Sequence, residues 1–218
     1  MALERWERFA PFTGIVAVLF WVLGVVIVES GDTPGDDATA AEVVRYFEGE
    51  EGTLYLGGFS IMLGSLFFVW FAGSLRATVA EAERGVLRIA SILFGAAVAK
   101  AVLDMAVVAP QMSGAFHANE YDAPLEPGAA QALWAAGDGF FVAAEYAAAL
   151  FLVATAIAVL RWGVLPRWLA WINLLIALVL LIPPIGWAAL IFAFPLWVVL
   201  VSVLLYRRGS LRTEEAAA

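Results

Sequence analysis

Residues 168–206 read "WLAWINLLIALVLLIPPIGWAALIFAFPLWVVLVSVLLY", without one charged side chain. As a single α-helix this run would reach roughly 58 Å, about twice the hydrocarbon core of a bilayer. It must be broken, and "LIPPIGW" (181–187) supplies the break. Pro183 and Pro184 remove backbone donors and restrict the residue before them, while Gly186 permits a turn. The stretch predicts two helices in a tight hairpin, over about 166–183 and 187–206. Pro195 predicts a kink near the middle of the second.

Working outward, four more stretches are apolar over the roughly 20 residues that a crossing needs: about 11–28, 54–74, 87–108 and 129–160. The expected fold is all-α, a polytopic bundle of six transmembrane helices forming one domain over residues 1–208. A flexible cytoplasmic tail is expected over 209–218. Composition agrees, since 63% of the 218 residues are hydrophobic and only 15% are charged. The first stretch is expected to remain as a span. It is long for a signal-peptide core, and "VIVESGD" (26–32) offers no small-residue cleavage site.

Six crossings put both termini on one side, and the arginines indicate which. Arg5, Arg8, Arg76, Arg84, Arg88, Arg161, Arg167, Arg207, Arg208 and Arg212 all fall at the same ends of the spans, ten of the 12 Lys and Arg residues. The acids of 29–51 and of 120–126 gather at the opposite ends, joined there only by Arg45. The positive-inside rule then places both termini in the cytoplasm. Trp6, Trp162, Trp168 and Trp171 fit the inner interface, with Trp134 and Trp187 at the outer one.

The largest outer loop, 30–52, carries Thr39-Ala-Ala-Glu42, a capping box, followed by Val43, Val44 and Phe47 at helical spacing. A short amphipathic surface helix is expected there, docked on the bundle or on the headgroups. Asp32, Asp36 and Asp37 lack the spacing of a calcium loop and read as a solvated acidic rim. Ser60-x-x-x-Gly64 in the second span and the alanines at 143, 144 and 147–149 in the fourth allow close helix approach, which places these two helices centrally.

Much chemistry is excluded. Without cysteine there is no disulfide, thiolate nucleophile or cysteine-ligated metal, and the one histidine excludes multi-imidazole sites within one chain. There is no Walker A loop and no basic patch for nucleic acid. No cofactor, metal or catalytic residue is indicated.

One layer remains unusual. "AAVAKAVLDMAVVAP" (96–110) puts Lys100 and Asp104 one helical turn apart within an apolar span. Counted from Arg88, Lys100 lies roughly 18 Å and Asp104 roughly 24 Å into the membrane. Counted back from Arg161, Glu145 also lies at roughly 24 Å, and Asp138 two turns further out on the same helix face. An intramembrane charge exposed to lipid costs at least ~2.5–3.5 kcal/mol, so these groups are expected to face inward and pair. Lys100 with Asp104 or Glu145 is the simplest arrangement. Three carboxylates against one ammonium leave two negative charges for protons, water or a bound cation to absorb. His117, in the expected loop "GAFHANEYDAP" (114–124), either overhangs this pocket or is simply solvated.

"RFAPFTGIVAVLFWVLGVV" (8–26) and "LRWGVLPRWLAWINLLIAL" (160–178), with "LPRWLAW" (165–171) the most specific part, resemble stretches of small bacterial membrane proteins of actinobacterial type. Those proteins carry a domain-of-unknown-function label. The resemblance implies six helices in a bacterial inner membrane, and brings no functional residues.

The expected protein therefore lies in the bacterial cytoplasmic membrane. It has a polar pocket opening outward between the second, third and fourth spans, formed by Lys100, Asp104, Asp138 and Glu145. Such a pocket would bind or move a proton, a cation or a small polar solute. In the alternative, the chain is an accessory or scaffold subunit whose buried charges only fix helix packing. The partners expected are the lipid bilayer, a second copy or another membrane subunit, and such a solute or ion. A Schiff-base lysine or an intramembrane enzyme finds less support.

Overall fold

A computed structural model describes residues 9–35, 37–85 and 87–215, with side chains through Arg208. The chain is all-α. After a 3-10 turn at Ala10–Phe12 come α1 (Thr13–Glu29), α2 (Ala40–Gly49), α3 (Glu51–Glu83), α4 (Arg88–Glu120), α5 (Pro127–Trp162), α6 (Arg167–Leu180) and α7 (Pro183–Ala188). A π-helical turn, Ala189–Ala193, leads into α8 (Phe194–Glu215). Among the described residues, five segments are long and apolar enough to cross a membrane: Ala10–Glu29, α3, α4, α5 and Pro183–Arg208. That makes the chain a multi-pass membrane protein. Arg5, Trp6, Arg8 and Asp36 lie outside the described residues, as does the side chain of Arg212.

Several expected boundaries move. Helices α3 and α4 have 33 residues each and α5 has 36, about 50 Å against a core of about 30 Å. Hydropathy marks where a helix leaves oil, whereas backbone hydrogen bonding continues wherever propensity allows. "LRATVAEAE" therefore extends α3 nine residues past Ser74. Pro110 does not end α4, which continues to Glu120 and carries His117 within the helix rather than in a loop. The candidate span expected over 166–183, fifth in chain order, shrinks to the 14 residues of α6, roughly 21 Å. At the other end, α8 stays helical through Glu215, into the segment expected as a flexible tail.

The break at 181–187 occurs as the residues require. Helix α6 stops at Leu180, and the paired prolines occupy the first turn of α7, where a missing N–H costs nothing. The distortion attributed to Pro195 appears one turn earlier as the π turn, since Pro195 has no N–H for the carbonyl four residues back.

Two apolar cores form. Within the membrane, α1 lies against α3 through a stripe of small residues. A Cβ at Gly24 would stand 2.8 Å from Gly57 O, and one at Gly64 would stand 2.9 Å from Ala17 O. At the centre of the bundle the rings of Trp21, Phe68, Phe71, Phe151, Phe194 and Trp197 form a chain of contacts with centroids 5.3–6.4 Å apart. Asn173, fully buried on α6, accepts a hydrogen bond of 2.5 Å from Trp197 Nε1. Beyond the membrane layer, α2 docks on the overhanging ends of α4 and α5. Val43, Tyr46, Phe47, Leu54, Ala115, Leu125 and Ala130 make a separate small core there. Asn119 Nδ2 donates to Phe47 O at 3.0 Å and so satisfies a carbonyl near the end of α2.

The capping box predicted for α2 is present. Thr39 N donates to Glu42 Oε2 at 2.7 Å, and Glu42 N donates to Thr39 Oγ1 at 3.4 Å. The hydrogen bond from the Thr39 backbone, then that from its hydroxyl, holds the Glu42 carboxyl below its ordinary range. Because the folded value is depressed, this support for α2 is present above the unfolded value and is lost as pH falls through the folded one. Protection of the α2 amides from hydrogen exchange, taken relative to the intrinsic rate at each pH, should therefore fall in acid, and Glu42→Gln should remove much of that dependence.

Candidate site at the buried Lys100–Asp104 pair

Lys100 and Asp104 lie on the inward face of α4, 3% and 8% exposed. The Lys100 ammonium donates to Asp104 Oδ2 at 2.6 Å. Lysine followed by aspartate is the weaker order for an exposed i,i+4 pair. Its use here reflects the surroundings, because both groups are buried and each one's partner lies one turn away.

The remaining surface of the ammonium faces rings. Nζ stands 4.3 Å from the Trp21 centroid, 5.0 Å from Phe194 and 5.5 Å from Phe68. The negative faces of aromatic rings attract a cation, most strongly where water is excluded. Three helices, α1, α3 and α8, thus contribute one ring each to a cage closed by the carboxylate of α4. Ser65 on α3 completes it: its hydroxyl accepts from Trp21 Nε1 at 3.3 Å and lies 3.3 Å from Asp104 Oδ2 and 2.9 Å from the Ile61 carbonyl. The cage was not read from the sequence. Its available signal was Trp21, a tryptophan set mid-span rather than in the interfacial belt.

Glu145 is brought to the same level but not into the same cluster. A Cβ at Gly137 on α5 would lie 3.0 Å from Val107 O of α4. Eight residues along the antiparallel α5, Glu145 falls opposite roughly residues 99–103. No hydrogen bond or ion pair joins it to Lys100. Its side chain, 1% exposed, turns toward α7, where a Cβ on Gly186 would lie 2.8 Å from the carboxyl carbon and both its oxygens. Glu145 Oε2 is buried without a hydrogen-bond partner.

The other two expected members stand elsewhere. Asp138 is exposed on α5. His117, half-buried and stacked on Tyr121 at 5.0 Å, lies 13 residues past Asp104, roughly 20 Å further along α4. Among the described residues, no group of three or more His, Asp or Glu side chains is arranged to hold a metal.

A cavity of about 300 Å³ reaches the pair. Trp21, Lys100 and Asp104 form its polar wall, and the rest is apolar, from valines of α1 and α4, Ile61 of α3, Phe141 of α5 and residues of the π turn and of α8. The pocket expected between the second, third and fourth spans thus takes two of its walls from α1 and the π turn. Val22 and Phe192, at its rim, are 53% and 61% exposed on the apolar flank of the bundle. The mouth accordingly opens sideways between α1 and the π turn.

No protein-family model, curated protein or solved structure matches the chain.

Proposed function

We propose that the protein binds a small membrane-dissolved molecule, apolar in body with a carbonyl or hydroxyl head, at the Lys100–Asp104 pair. The observation that carries this reading is the cavity: apolar throughout except for one ammonium–carboxylate pair, with its mouth on the lipid-facing flank. Apolar walls with a few convergent polar groups are the usual composition of a ligand site. A neutral head suits a pair already balanced in charge. It can accept from an ammonium hydrogen and, if a hydroxyl, donate to Asp104. The test uses a diazirine-bearing long-chain alcohol in membranes containing the protein. Photolabelling should fall on residues of α1 and 190–192. Val25→Trp, which fills the cavity, should reduce it at least about tenfold, corresponding to about 1.4 kcal/mol, without loss of the folded protein. Equal labelling of parent and variant would refute the reading.

A second reading is favoured by the cage itself. Lys100 is satisfied by Asp104 and three rings without any ligand, as a purely structural element of a scaffold subunit would be.

Both readings assume six crossings with the termini cytoplasmic, in a bacterial inner membrane. The clustering of arginines supports that topology, with α6 and the turn at 181–186 together completing the fifth crossing. Because the chain has no cysteine, single substitutions report directly. Cysteine at Glu126 should react with an impermeant maleimide added to intact cells, and cysteine at Arg84 only after permeabilisation. The reverse pattern would invert the topology.

A further inference from the structure

We infer that Glu145 is a proton-binding site, covered by the Pro183–Ala188 turn and reached from the acidic end of the bundle when that turn lifts. Its carboxyl is sealed, with Oε2 unpartnered, and Gly186 rests on it so closely that only a hydrogen fits. In such a wall an ionised carboxylate is far costlier than the neutral acid. A metal cation would need several oxygen ligands, and among the described residues no group of three or more His, Asp or Glu side chains is arranged to supply them. A proton alone, forming the acid from the carboxylate, neutralises the group without further ligands.

The charged groups of the neighbouring elements do not compete for this role. On α4, Lys100 and Asp104 stand at the level of Glu145 and bind each other. On α6 the only charge is Arg167, at the far end of the helix, and α7 has none. The cover is one layer thick, since Pro184, Ile185 and Trp187 on either side of Gly186 are exposed while Gly186 is buried. It lies between the end of α6 and the π turn, where the backbone leaves regular α geometry at both ends. A rigid-body lift of these six residues would expose the carboxyl while α6 and α8 stay helical. This site is independent of the cavity ligand, and the two can fail separately.

The test treats membranes containing the full chain with dicyclohexylcarbodiimide, which adds to a protonated carboxyl in an apolar setting and leaves an N-acylurea. Peptide mass spectrometry should find the adduct on Glu145 and not on Asp104. Modification should slow several-fold as pH is raised, and Glu145→Gln should fold as the parent does without the adduct. An infrared carbonyl band of a protonated acid, absent from Glu145→Gln, provides a second readout that needs no reagent access. Absence of both adduct and band would overturn the inference. So would protection by sodium ions, which would make this a cation site, or modification indifferent to pH, which would make Glu145 a permanently neutral core residue.

Discussion

Asp104→Leu alone should destabilise the protein by about 3–5 kcal/mol, while Lys100→Met combined with Asp104→Leu should be neutral or stabilising. The single change strands an ammonium that is 3% exposed and has no other carboxylate within hydrogen-bonding distance. The aromatic faces of Trp21, Phe194 and Phe68 attract it but accept no strong hydrogen bond from it. The double change removes both desolvation costs at once, with side chains of similar bulk. Unfolding of the parent, both single variants and the double variant in one detergent gives the coupling energy directly. Equal losses in the single and double variants would mean that the pair is not the unit the geometry describes. The same set separates the two functional readings. A scaffold tolerates the stable double variant, whereas a binding protein folds and no longer captures the alcohol probe.

Gly24→Leu should cost roughly 1–3 kcal/mol, as inserting bulk into a filled interface does. A Cβ there meets Gly57 O at 2.8 Å, and Ile61 Cγ1 and its backbone nitrogen beside it. Side chains can rotate away, but a carbonyl within α3 cannot, so α1 must move outward as a whole. In a bilayer no hydrophobic force restores it, because lipid tails are as apolar as the surface it leaves. The control is Gly73→Leu on α3, where an added Cβ meets nothing within 4 Å. That variant should unfold like the parent, and a similar loss in both would trace the effect to composition rather than to close contact.

The class of the fold and the level of its charges are legible in the sequence, for physical reasons. Lys100 and Asp104 share one helix face, so their meeting follows from a periodicity of 3.6. Counting from Arg161 placed Glu145 at their depth because helical rise is constant. What Glu145 touches was not legible. Whether α5 turns that residue toward Lys100 or toward Gly186 depends on rotation about its axis, which the packing of many small residues decides together. The cage around Lys100 draws on three helices distant in sequence, and only their assembly reveals it. His117 was misplaced because a proline and a polar composition imitate a loop, whereas at α4 the contacts with α2 and α5 keep the helix intact. The apolar core beyond the membrane is legible only in part: Val43 and Phe47 are expected as the docking edge of α2, but not the residues they meet. Leu54, Ala115, Leu125 and Ala130 come from three other segments of the chain, and no local periodicity pairs them with α2.

The three long helices carry a mechanical consequence. Helices α4 and α5 pass without interruption from the layer of Lys100 and Glu145 to the small core seated on their ends. A stiff rod pivoting at its middle, with about 25 Å beyond the pivot, converts a swing of about 5° into a tip displacement of about 2 Å. Any event that tilts α4 against α5 at membrane depth must therefore either shear α2 from its seat or carry it along. The docked α2 is thus a pointer whose position reads out, in water, what happens in oil.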